Sequence, residues 1–192
     1  MQTDDRAITP VQAAVYGAAA GFAATVLMSG LARLPGIRQQ IDRTSPVERA
    51  IAETEGQDNF APMSPAMALV QASGPGPEGP AGLFAAKVAS GLFGRDLGKQ
   101  TERWGRLVHL IYGSFWGLVY GVCQSDRPRD PVVSGASHGM AVWAVGPGLL
   151  VPAMRILPAP SKTPPKQAAL GVAAHITYGI ALATVFRRLM NR

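Results

Sequence analysis

The fold turns on one stretch, VQAAVYGAAAGFAATVLMSGLA at residues 11–32. Its 22 residues include no Asp, Glu, Lys or Arg. A helix rising about 1.5 Å per residue needs about 20 residues to cross a hydrocarbon core of about 30 Å. Backbone groups find no water in that core, so such a run is predicted to be helical. A soluble surface helix of this length would carry a charged face, and this run has none. The flank before it holds Asp4, Asp5 and Arg6 rather than a basic stretch. The run also exceeds the core of a signal peptide, about 7–15 residues, so an uncleaved first span is expected.

Three further apolar runs follow at 107–123, 132–154 and 168–186, each bounded by charge or proline. The expected architecture is all-α: an integral membrane four-helix bundle. It has a short tail (1–10), span one (11–32), an extramembrane insert (33–106), span two (107–123), span three (132–154) and span four (168–186). Only 16% of residues are charged, against about 25% in soluble domains. The mean hydropathy of +0.13 stays low because the polar insert offsets the spans. The net charge is +6, from 14 Arg and 4 Lys against 12 acidic residues. These cations crowd the ends of the apolar runs, where lipid headgroups lie, and form no basic stripe with interleaved aromatics. The partner they suggest is the bilayer and not nucleic acid. A single cysteine, Cys123, allows no internal disulfide and no thiolate metal site. Orientation stays open. Counting all loops puts twelve Lys/Arg on the insert side against six, but discounting the long first loop leaves three against six.

The runs repeat one another. His109-Leu-Ile-Tyr112-Gly113 in span two matches His175-Ile-Thr-Tyr178-Gly179 in span four. Gly17-x-x-x-Gly21 and then Arg33-Leu-Pro35 in and after span one match Gly135-x-x-x-Gly139 and then Arg155-Ile-Leu-Pro158. The second interval is four residues longer, about one helical turn, which keeps the same face in line. This predicts two helical hairpins related by duplication, with the insert in the first loop. Residues four apart share a face. Small residues therefore form stripes: Gly17 and Gly21 in span one; Gly113, Gly117 and Gly121 in span two; Gly135 and Gly139 in span three; Gly171 and Gly179 in span four. In lipid such stripes let helix backbones approach closely. Span three also holds Pro147 and Pro152 among glycines, which predicts a kink, read first as a static bend and second as a discontinuous helix beside a binding site.

All three histidines, His109, His138 and His175, fall in spans. Ionisable groups there are candidate functional residues. Tyr112 and Tyr178 stand three residues beyond His109 and His175 and complete the candidate set. Three readings stand open: structural hydrogen bonds between helices, proton or ion handling, and a haem or metal held by His109 and His175 between spans two and four. No catalytic residues, nucleophile–base pair or phosphate loop stands out, so no enzyme is expected. In the insert, Ser45-Pro46-Val47-Glu48 reads as a helix start with a capping box. Ser64-Pro65 opens another, and residues 73–80 read as an irregular linker. Residues 81–97 read as an amphipathic helix lying in the membrane interface.

Span one with Leu34-Pro35, followed by Arg43-Thr-Ser-Pro46 in a long first loop, resembles the YagU-like family of small bacterial inner-membrane proteins. The resemblance implies a multi-pass location in the bacterial inner (plasma) membrane. It implies no mechanism and no site residues. The leading expectation for function is a non-enzymatic, structural or regulatory membrane protein that packs with itself or with a membrane-protein partner. The second is a small transporter or proton-linked permeation unit using the histidines. The third is the haem or metal protein.

Overall fold

The computed structural model describes residues 8–31, 80–125, 130–156, 161 and 165–191. The described residues are helical, with no strand among them. In chain order the elements are α1 (Pro10–Leu31), α2 (Pro80–Phe93), a short 3-10 turn (Gly98–Gln100), α3 (Thr101–Cys123), α4 (Pro131–Val145), a π-helical turn (Gly146–Leu150), α5 (Val151–Ala153) and α6 (Pro165–Met190). The helix starts expected at Ser45 and Ser64 and the linker from Ser73 lie outside the described residues.

Several boundaries differ from the hydropathy reading, each for a local reason. The start of α1 is set by a capping box: Gln12 N–H donates to Thr9 Oγ1 at 3.2 Å, and Thr9 N–H donates to Gln12 Oε1 at 3.0 Å. Pro10 occupies the first helical position, where its missing N–H costs nothing. Span two, expected over 107–123 and lengthened by Trp104 to Arg106 at the interface, begins at Thr101, because the turn carrying Glu102 and Arg103 is helical too. Arg106 and Glu102 lie 3.8 Å apart one turn from each other. Span four, expected over 168–186, runs from Pro165 to Met190. The amphipathic helix expected over 81–97 stops at Phe93, because Gly94 takes a positive φ of 60° and turns the chain out. Span three, expected over 132–154 with a kink at its prolines, starts as a regular helix and breaks at the first of them. Asp130 caps α4 by accepting from Val132 N–H at 2.9 Å and Val133 N–H at 3.1 Å. At Gly146-Pro147 the α ladder fails, since proline has no N–H to give. The chain widens into the π turn, with Val151 N–H bonded to the Gly146 carbonyl five residues back.

The packing follows the glycine stripes. α1 lies against α3 and α6, α4 lies against α6, and α2 lies along α3. A methyl group added at Gly17 would sit 2.9 Å from Gly121 Cα, and one at Gly21 would sit 2.9 Å from Gly117 Cα. Gly113 faces Thr25 in the same way. The second pair is built alike: a methyl at Gly139 would sit 2.7 Å from the His175 carbonyl carbon, and one at Gly179 2.7 Å from Gly139 N. The two pairs are not in the register that the Gly-x-x-x-Gly matches suggest. Gly113 opposes Gly21, whereas its counterpart Gly179 opposes Gly135, so the second contact is displaced by one turn.

The helix ladders and small stripes leave an unusual distribution of side chains. Ala13, Ala20, Ala24, Thr25 and Ser134 are buried. Large apolar residues face outward, among them Phe22 (49% exposed), Ile111 (60%) and Val133 (66%). Two helices are long and apolar enough to cross a membrane, over Pro10–Gly30 and Ala168–Met190.

Replacing a glycine by alanine tests the zipper with a single methyl group. Gly117→Ala has no room, and forcing atoms into packed space costs about 1–3 kcal/mol. Gly30, with nothing within 4 Å of its added methyl, gains helix propensity of up to about 1 kcal/mol from the same change. Reversible unfolding in mixed micelles is expected to show Gly117→Ala destabilised and Gly30→Ala unchanged or stabilised.

Candidate functional site

Polar side chains inside the bundle divide into struts and unpaired groups. The struts join helices. Tyr178 O–H on α6 donates to the Gly113 carbonyl on α3 at 2.7 Å, a buried bond. Tyr120 and Ser134 hydroxyls meet at 2.8 Å between α3 and α4. Ser134 already donates its proton to the Asp130 carbonyl at 2.7 Å, so Tyr120 is the donor in that pair. His138 Nε2 lies 3.0 Å from the Trp116 carbonyl. A carbonyl only accepts, so Nε2 carries the proton and donates. The His138 ring also meets Trp116 and Tyr120 edge-on, with centroids 5.8 and 5.1 Å away. Of the three histidines expected as candidates, His138 is therefore a strut between α4 and α3.

The other two share a cavity. About 300 Å³ in volume, it is walled by the C-terminal half of α1 at Thr25 and Met28, by α3 at His109 and Tyr112, and by α6 at His175 and Tyr178. The helix break at Gly146-Pro147 closes another side, and Ala81 and Phe84 of α2 cover it from the insert side. α2 is held there by Lys87, whose ammonium donates to the Met154 carbonyl just beyond α5. The cavity exists because the packing changes along the bundle. At Gly17, Gly21, Gly117 and Gly121 the backbones touch and leave no space. One to two turns further toward the insert, α1 presents Thr25 and Met28, and α4 widens into its π turn.

The polar groups of the cavity wall are few. His175 Nδ1 lies 2.8 Å from the Gly171 carbonyl, one turn back on its own helix. That carbonyl fixes the proton on Nδ1 and leaves the lone pair of a neutral ring on Nε2. Nothing among the described residues bonds Nε2, and nothing bonds either ring nitrogen of His109. Tyr112 O–H and Trp116 Nε1–H are buried with no hydrogen-bond partner. The Tyr112 hydroxyl lies over Gly146, where any side chain would strike it. The two rings meet edge-on at 6.1 Å. Among the described residues, no Lys, Arg, Asp or Glu lines the cavity, and no three His, Cys, Asp or Glu come together.

The structure thus gathers His109, Tyr112, His175 and Tyr178 around one space and sets His138 apart. Sequence reasoning missed Trp116, Thr25 and Gly146. Trp116 was reachable, since it follows Tyr112 by four and His109 by seven on one helix face. Thr25 and Gly146 belong to other helices, and only the tertiary arrangement brings them to the site. No protein-family profile, curated protein or solved structure matches the chain.

The strut assignment of His138 is open to a direct check. His138→Phe keeps a ring of similar shape and removes the bond to the Trp116 carbonyl. Bonds of this kind between membrane helices average about 0.6 kcal/mol and reach about 1.7 kcal/mol. A loss in that range is expected by unfolding in mixed micelles, with ligand binding at the cavity unchanged.

Proposed function

We propose that the chain is a four-span integral protein of the bacterial inner membrane. It acts without catalysis, by holding a partner molecule in the cavity between α1, α3, α4 and α6. The observation that supports the membrane reading is the girdle of exposed apolar side chains. Ala13, Ala20, Ala24, Thr25 and Ser134 are buried together with Val142, Leu182 and Phe186, while Phe22, Ile111, Phe115 and Val133 point outward. In water such a girdle would be an aggregation site. In lipid it is the ordinary exterior, and close packing of small residues supplies the cohesion. The charges agree: Glu102, Arg103 and Arg106 sit at the start of α3, and Arg187 and Arg188 in the last turn of α6. Membership of the YagU-like family, resting on residues that include Arg43 to Pro46, is part of the same proposal.

The binding reading is supported by the cavity itself. Its volume falls at the lower end of the range for small-molecule sites, about 300–1,000 Å³. Mostly apolar walls with a few placed polar groups are what such sites present. A purely structural role for His109 would require a partner for its ring, and none is present among the described residues.

Single cysteines test the membrane reading. In a Cys123→Ser background, Phe22→Cys, Ile111→Cys and Val133→Cys are exposed on the isolated molecule. In native membranes a water-soluble maleimide is expected to leave them unmodified until the protein is denatured. Labelling at the rate of a free thiol in water would contradict a lipid-facing girdle. The double variant His109→Gln/His175→Gln separates binding from transport: binding falls in the first case, and a proton flux measured in liposomes is lost in the second.

A further inference from the structure

The geometry points to a specific kind of occupant, a neutral lipophilic phenol of the alkylphenol or quinol class, whose hydroxyl bridges His109 and His175. This rests on the four-span binding reading above and names the ligand of that same cavity.

Four features of the cavity narrow the chemistry. The first is charge. No formally charged side chain among the described residues lines the space, so with respect to these walls an ionic ligand would enter without a counter-charge, at a desolvation cost that a neutral molecule avoids. The second is size. An apolar cavity of about 150 Å³ accommodates benzene. A cavity of about 300 Å³ on that scale holds one ring with a short alkyl substituent. A haem macrocycle, with several times the atoms of benzene, is too large for it. The third is shape. Phe84, Tyr112, Trp116 and Tyr178 all contribute to the wall, and aromatic rings pack favourably edge-to-face or offset against another ring.

The fourth feature is the hydrogen-bond inventory. The Gly171 carbonyl holds the His175 Nδ1 proton, which leaves Nε2 as an acceptor for a donor off its own helix. His109 has both ring nitrogens without a partner, and a neutral imidazole offers one donor and one acceptor. A ligand group that donates to His175 Nε2 while accepting from the His109 N–H gives each ring one partner off its own helix. A hydroxyl does this with a single oxygen. A ketone or quinone oxygen could accept from the His109, Tyr112 or Trp116 hydrogens, but it has no proton to give His175 Nε2. A phenolic hydroxyl is a stronger donor than an alcohol and comes attached to the ring that the aromatic wall fits.

α2 contributes Ala81 and Phe84 to the cavity wall, and its Lys87 is tethered to the Met154 carbonyl.

The test uses the full chain in lipid nanodiscs, with empty nanodiscs subtracted, and two probes of nearly equal size: 4-pentylphenol and its methyl ether, 4-pentylanisole. Scintillation proximity with the tritiated phenol is expected to show saturable binding, displaced at least tenfold more weakly by the ether. His175→Leu is expected to bring the preference for phenol over ether close to one. A mere loss of packing would weaken both probes together and leave their ratio intact. Equal displacement by the two compounds, absence of saturable phenol binding to protein that unfolds cooperatively, or a Soret band in the purified protein would each overturn the proposal. The wild-type comparison needs no variant to fold. Failure of the membrane reading shows separately, as maleimide labelling of the outward cysteines.

Discussion

Two backbones in contact govern the rest of this molecule. Where α1 crosses α3, Gly17 and Gly21 meet Gly117 and Gly121 so closely that a single added methyl group would overlap main-chain atoms. Contact at this distance brings many atoms into dispersion range at once. That is the form of cohesion available inside a lipid layer, where a leucine is as well solvated by acyl chains as by another helix. The α4–α6 pair uses the same device at Gly135, Gly139 and Gly179. Large side chains have no place in these seams and are displaced outward, which produces the apolar girdle.

The same constraint explains where the bundle opens. Helices pinned at one level by glycine diverge or are held apart wherever bulkier residues enter the seam. Toward the insert side α1 carries Thr25 and Met28, and α4 gives up its α-helical geometry at Gly146-Pro147. The π turn there displaces the chain, and Tyr112 fills the room above Gly146 with its hydroxyl. A cavity therefore lies one to two turns from the glycine contact of α1 with α3. The struts from Tyr178 to Gly113 and from His138 to Trp116 cross between helices beside it. A site whose side chains are held by packed neighbours loses less freedom on binding than one formed from loops.

Much of this was legible in the chain, and the reasons are physical. Uncharged runs near 20 residues announced the helices, and a four-residue spacing of glycine announced the faces that touch. The pairing of His109 with His175 followed from the repeated H-x-x-Y-G motif. The ends of helices were read less well, because hydropathy does not register a helical turn that carries Glu102 and Arg103, or a glycine that ends α2 by its positive φ. The register of the second pair, one turn from that of the first, is not legible, since Gly-x-x-x-Gly recurs and can slide by a turn without changing face. His138 lacks the H-x-x-Y-G motif of its two counterparts, but its role as a strut was not legible, because its partner is a backbone carbonyl on another helix. Only the position of Trp116 across the helix contact distinguishes a strut from an open ring.

The central claim is the backbone contact between α1 and α3, and glycine Cα–Cα correlations by solid-state NMR on protein labelled with 13Cα-glycine in lipid bilayers measure it directly. The account predicts inter-helix cross-peaks joining Gly17 to Gly121 and Gly21 to Gly117. If both pairs are missing from spectra in which the cross-peaks within each helix are resolved, the two backbones do not touch, and the packing on which the girdle and the cavity depend is wrong.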